Sequence, residues 1–269
     1  MSRNITGMVI ELADVLSMEF SRGGATNLLD ICEKEYIEMV EDDYGMAFDS
    51  MLIRNADRTA IHLNTGRGIR SDNHQGRIAI AHELGCYFID LLENDPTAGT
   101  LFMHVLKTEV IYSDWAEKTA EHFAQRLLIP VADYTDNREA SEFSMEVVKR
   151  VSEKCDVSLI FTLLSILEAG SYPLMAVFSR NQQICGSTRS ICFPGLENKF
   201  RRWSPLPAGN PEEQDDAQPK ECYSVVKKGD MGSWFKYGEL LSESQLFEQR
   251  LYSKEFDLSV NLLWFEGNG

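Results

Sequence analysis

A chain of 269 residues with 43% apolar and 25% charged content has enough apolar surface for two compact domains and does not have the composition of a disordered protein. Its 42 acidic against 26 basic residues give a net charge of −16, a field that opposes a broad phosphate-binding surface. No apolar run approaches the roughly 18–20 residues of a membrane span. Met1-Ser2-Arg3-Asn4 also lacks an apolar signal-peptide core, so a cytoplasmic protein with no membrane partner is expected. The six cysteines, at 32, 86, 155, 185, 192 and 222, show no paired framework and are expected to be reduced thiols.

Met8 to Phe20 carries apolar residues at 8, 9, 12, 15, 16 and 20, a helical stripe. Thr26 is the expected cap of a second helix through Leu28, Leu29 and Ile31. Met51–Arg54 and Thr59–Leu63 read as short strands joined by an Asn55-Ala56-Asp57 turn. After the loop Asn64–Gly68, Gly76 to Asp90 reads as one helix, with Asp72 and Gln75 as a capping box and Asn94-Asp95-Pro96 as its stop. Inside it lies His82-Glu83-Leu84-Gly85-Cys86, one letter away from H-E-x-x-H. Positions 82 and 86 fall one turn apart on one face and can share a metal. Glu83 projects from the adjoining face, where a general base could hold a metal-bound water. Cys86 replaces the second histidine; a thiolate still binds zinc, at about 2.3 Å rather than the roughly 2.0–2.1 Å of imidazole.

After the apolar run Leu101–Leu106, Ser113-Asp114 opens a helix from Trp115 through Leu128 that stops at Pro130. Ala116, Ala120, Phe123, Ala124, Leu127 and Leu128 form its buried face. Glu117 fits two roles, a downstream carboxylate ligand or the partner of Asp114 in a capping box. His62, His74, His104 and His122 are read as structural or solvated. Ser144–Lys154 and Ser158–Glu168 outline two helices around Cys155-Asp156-Val157, with Gly170 as C-terminal cap. The second helix has no side chain suited to reading bases, so the pair is read as a packing element. From Tyr172 onward the pattern is of strands: Leu174–Ser179, Ile184–Gly186, Cys222–Val226, Trp234–Tyr237 and the alternating run from Phe256 to Trp264. Pro205 to Lys220 is expected to be a mobile loop. This half carries no catalytic constellation and reads as a sensing or interaction domain.

Arg77–Gly85, the preceding strand Ile61–Asn64 and the segment Glu117–Pro130 together resemble the ImmA/IrrE metallopeptidases. In the last segment Glu-x-x-Ala, then Phe-Ala, then Leu-Leu-x-Pro is the distinctive part, and the order of segments resembles the larger members over nearly the whole chain. The resemblance implies an α+β protein: a zincin-like (gluzincin) peptidase domain at 1–135, a helix-turn-helix-like connector at 136–171 and a β-rich, GAF-like regulatory domain at 172–269. It implies a zinc-dependent endopeptidase, with manganese as an alternative metal, that cleaves a helix-turn-helix repressor and so derepresses DNA-damage or phage-related genes. Carried over by residue, His82 and Glu117 are metal ligands, Glu83 is the catalytic base, and Cys86 stands at the second-histidine position. A nucleic acid or small molecule would act as the signal at the C-terminal domain.

The residues leave two further readings open. A zinc ion held by His82, Cys86 and Glu117 is electrically neutral, which slows hydrolysis and makes Cys86 a redox-sensitive ligand. Alternatively, the substitution leaves a pseudoprotease that binds a repressor without cutting it. A transcription factor using the 144–168 helices is disfavoured by charge and composition.

Overall fold

The computed structural model describes residues 2–21, 24–93, 102–106, 115–130, 143–170, 172–207, 221–236, 245–254 and 257–265. The architecture is mixed α and β with two separate sheets. The chain divides into two compact units, one of residues 1–133 and 151–158, the other of residues 134–150 and 159–269. Among the described residues no helix is long and apolar enough to cross a membrane.

In the first unit, α1 (Ser2–Phe20) and α2 (Leu28–Lys34) precede three strands, β1 (Ile37–Asp42), β2 (Ser50–Arg54) and β3 (Thr59–Asn64). Asn27, not Thr26, caps α2, accepting from the Asp30 N–H; the Thr26 hydroxyl donates instead to the Leu127 carbonyl at 2.7 Å. The β2–β3 turn forms as its composition predicts, with Asn55 Oδ1 accepting from the Asp57 and Arg58 N–H groups, each at 2.9 Å. β1 has weak apolar alternation, which is why it escapes a sequence reading; it is recruited as the parallel neighbour of β3.

The helix α3 (His74–Glu93) follows a single 3₁₀ turn, then come β4 (Phe102–Leu106) and α4 (Trp115–Leu128). Among the described residues the sheet order is β1-β3-β2-β4, with β4 an outer strand antiparallel to β2. Asn73 caps α3 through its side-chain oxygen, 2.8 Å from the Gly76 N–H, so Asp72 does not take the expected role. The expected stop at 94–96 and the capping pair Ser113-Asp114 lie outside the described residues. Every residue of α3 from Ala79 to Asp90 is buried, the signature of a helix enclosed on all sides.

Two polar contacts tie α3 to the inward face of β2. Ser50 Oγ donates to Glu83 Oε1 at 2.6 Å, and Arg54 pairs with Asp90 in a buried ion pair. Glu83 and Asp90 lie about two helical turns apart, roughly 10 Å, close to the rise between Ser50 and Arg54 along the strand. On its other side α3 meets α4, and here Gly85 is required. A Cβ on Gly85 would lie 2.9 Å from Ala120 Cα and 3.2 Å from Ala120 O, so only a hydrogen lets the two backbones approach.

The second unit contains α6 (Leu159–Ala169), preceded by α5 (Met145–Cys155), whose final residues from Val151 belong to the first unit. Gly170, at φ +68°, ends α6 in the left-handed region. α6 buries Leu159, Ile160, Leu163, Ile166 and Leu167, the face of a packing helix. The second sheet contains β5 (Leu174–Arg180), β6 (Gln183–Arg189), β7 (Glu221–Tyr223), β8 (Lys227–Lys228), β9 (Leu246–Ser253) and β10 (Leu258–Phe265). Its order is β6-β5-β10-β9-β7, with β8 also on β9. Asn181 and Gln182, both at positive φ, form the tight β5–β6 turn.

Two expectations change in this unit. Trp234 and Phe235 do not form a strand: Asp230 caps the short helix α7 (Met231–Trp234), and both aromatics enter the core with Met175, Val177 and Leu263. β10 forms where the alternating run predicts a strand, but as a central strand it is covered on both faces, so its polar residues Ser259 and Asn261 are buried too. The expected mobile loop begins anchored, with Leu206 N–H bonded to Gln182 O at 2.9 Å; residues 208–220, like Phe256 and Tyr237, lie outside the described residues.

Gly85→Ala gains about 1 kcal/mol of helix propensity but must push the α4 backbone away. A net loss of about 1–3 kcal/mol is expected, read as a lowered urea midpoint with unchanged slope.

Candidate metal centre

Four elements of the first unit converge at one point. α3 contributes His82, Glu83 and Cys86, β4 contributes His104, α4 contributes Glu117 and β2 contributes Ser50. The helical turn places His82 and Cys86 together, as their spacing predicts. The Gly85–Ala120 contact sets Glu117 against His82, since each lies one turn before the crossing point on its own helix; His82 Nε2 and Glu117 Oε2 are 3.3 Å apart. The β2–β4 register pairs Leu52 with His104 and so directs the imidazole to the face that covers α3.

His104 is the correction that the structure makes. Read from the sequence as structural or solvated, it lies at the middle of the cluster, with Nδ1 2.7 Å from Glu83 Oε2 and Nε2 2.6 Å from Glu117 Oε1. Its ring centroid is 5.4 Å from that of His82. Ligand atoms of His82, Cys86 and His104 all lie within 4.8 Å of one another, and among the described residues this is the one such group of three. The other histidines are placed elsewhere: His62 Nδ1 is 2.7 Å from the Tyr44 hydroxyl, and His74 Nε2 is 3.4 Å from Asp156. Of the six cysteines only Cys86 joins the group.

The electrostatics are those of tightly coupled opposite charges. Burial alone would lower the His82 pKa, but the neighbouring Cys86 thiol and the Glu117 and Glu83 carboxylates outweigh it and push the imidazole up to about 10. Burial likewise opposes charge on His104, and contacts with Cys86, Glu117 and Glu83 raise its pKa strongly. Burial would raise the Glu117 carboxyl, yet the two imidazoles hold it down at about 2. Glu83 is fully buried, and each of its oxygens has a partner, Ser50 Oγ on one and His104 Nδ1 on the other.

These donors fit a metal ion of zinc type. His82 is 4% exposed, and its Nε2 has no hydrogen-bond partner among the described residues, since the nearby Glu117 oxygen is poorly aligned. A buried imidazole nitrogen left in that state costs free energy, which a cation would recover. Two imidazoles and a thiol, with the Glu117 carboxylate beside them, also make up a mixed nitrogen, sulfur and oxygen set of the kind zinc accepts.

No protein-family model matches the chain, and no curated protein matches it. Among solved structures it is similar to a Mycobacterium tuberculosis transcriptional regulator, with a TM-score of 0.53 at 16% identity over 96% of this chain and 76% of that one. At that identity the likeness concerns the fold alone.

Zinc at 100 times its dissociation constant should stabilise the protein by about 2.7 kcal/mol. The rise in melting temperature should reverse with a chelator and vanish in His82→Ala, as differential scanning fluorimetry can read.

Proposed function

We propose that this chain is a zinc-dependent regulatory endopeptidase, with manganese as an alternative metal, acting on a helix-turn-helix transcriptional repressor. The observation that carries the reading is the buried His82 Nε2, without a hydrogen bond among the described residues yet grouped with a thiol and a second imidazole and flanked by two carboxylates. A zincin-like first unit agrees with a central helix bearing His82-Glu83-x-x-Cys86 laid across a mixed sheet. The structural likeness to a transcriptional regulator supports a regulatory setting, as does the resemblance of the Glu117–Pro130 segment to a family of repressor-cutting enzymes.

Zinc bound there supplies Lewis acidity and makes water a stronger acid at neutral pH. The chain's own residues supply the rest. β4 is an outer strand carrying His104, so a peptide extended along it by strand addition would pass over the cluster. Glu83 and Glu117 bracket His104, and one of them takes the proton of the attacking water and returns it to the leaving amine as the C–N bond breaks. The second unit, whose sheet and aromatic core are independent of this cluster, is the place for a nucleic-acid or small-molecule signal.

A second reading has its own observation. Glu83 is sealed, with both oxygens engaged, which favours a protein that binds the repressor without cutting it. Incubating the zinc-loaded chain with a helix-turn-helix repressor separates the two. Fragments that disappear in His82→Ala establish hydrolysis; stable capture without fragments establishes the binding reading and sinks the peptidase.

A further inference from the structure

We propose that His104, rather than Glu117, is the third protein ligand of the metal, that Glu83 serves as the carboxylate orienting His104, and that Glu117 is the group facing water. The inference rests on the metal-site reading above and redistributes the roles within it.

The first argument is geometric. Donors at zinc distances of about 2.0–2.3 Å in a tetrahedron lie about 3.3–3.6 Å from one another. His82, Cys86 and His104 already sit within 4.8 Å of one another, so modest side-chain rotation closes the set. A cysteine on α3 reaches less far than a histidine would. The imidazole that its position lacks comes from β4, on the sheet side of the helix, and the count of two imidazoles is preserved.

The second argument concerns Glu83. A metal-bound histidine nearly always donates its other ring N–H to a carboxylate or carbonyl, which sets tautomer and ring direction. His104 Nδ1 stands 2.7 Å from Glu83 Oε2, and Ser50 Oγ donates to Glu83 Oε1 at 2.6 Å. Ser50, Glu83 and His104 thus form a continuous support that leaves Nε2 as the coordinating nitrogen. With 0% exposure and both oxygens taken, Glu83 has no free edge for water. Glu117 differs: its oxygens lie beside the coordinating sides of both rings, 2.6 Å from His104 Nε2 and 3.3 Å from His82 Nε2.

Charge provides the third argument. Zinc with one histidine and two anionic ligands is neutral, whereas two histidines and one thiolate leave +1, the charge of a His₂Glu site. The exchange of roles between His104 and Glu117 therefore restores the electrostatic pull on water that Cys86 would otherwise remove.

Cobalt(II) substitution with equilibrium dialysis tests the assignment, because thiolate-to-cobalt charge transfer and ligand-field bands report ligands directly. Wild type should bind a single ion per chain with both features. His104→Ala should weaken binding by more than about 100-fold, beyond the roughly 10–100-fold expected for Glu83→Gln as loss of an orienting partner. Glu117→Gln should keep the ion and the charge-transfer band while losing hydrolysis. His104→Cys should regain the ion with a stronger charge-transfer band, which a merely structural histidine would not produce and which guards against misfolding of His104→Ala. Loss of the ion in Glu117→Gln with retention in His104→Ala would overturn the inference and leave the peptidase reading standing. Ligation through His104 without repressor cleavage would uphold the inference and remove that reading. Absence of any bound ion in reduced wild type would overturn both.

Discussion

The approach of α3 to α4 at Gly85 and Ala120 is the constraint on which the cluster depends. Two helices normally pack 8–10 Å apart, and side-chain volume sets the spacing. A missing Cβ on one helix and a methyl on the other bring the backbones close enough that their preceding turns face each other directly. His82 and Glu117 occupy those turns, and their 3.3 Å separation is a consequence of the crossing rather than of their own attraction. The same helix is anchored on its opposite flank by Ser50 and by the Arg54–Asp90 pair, so it cannot roll to relieve the crowding. Rigid support of this kind holds the side chains it carries in place.

Burial then determines how the charges behave. Five ionisable groups, His82, Glu83, Cys86, His104 and Glu117, share a space nearly closed to water. Each carboxylate has an imidazole within 3.3 Å, so neither acid is left as an isolated buried charge. The arrangement is self-neutralising and tolerates an acidic protein of net charge −16 around it. It also means that Cys86 is one contributor among several, beside an imidazole brought in from outside the helix.

Much of the local structure was legible because it is written in short range. The β2–β3 hairpin, the extent of α4 and the approximation of His82 to Cys86 follow from turn composition and the helical period. The caps of α2 and α3 each fall one residue beyond the position the sequence suggests, because Thr26 and Asp72 look as suitable as Asn27 and Asn73 until tertiary contacts decide. His104 and Ser50 were not legible at all. Their roles come from the β2–β4 register, a pairing across half a domain, and Phe102-x-His104-x-Leu106 alternation only says that one face is shared. In the second unit, Trp234 and Phe235 have strong strand propensity, yet an Asp230 cap and a waiting apolar core draw them into and beyond a helical turn.

The position of β4 at the rim of its sheet has a kinetic meaning. Outer strands are bonded along one side and belong to the low end of the local-opening spectrum, exchanging their amide hydrogens through fluctuations that leave the core intact. A donor carried on such a strand can swing away without α3, α4 or the inner strands unfolding. An ion held through His104 would thus leave by sub-global breathing of β2–β4 pairing, not by unfolding of the whole domain.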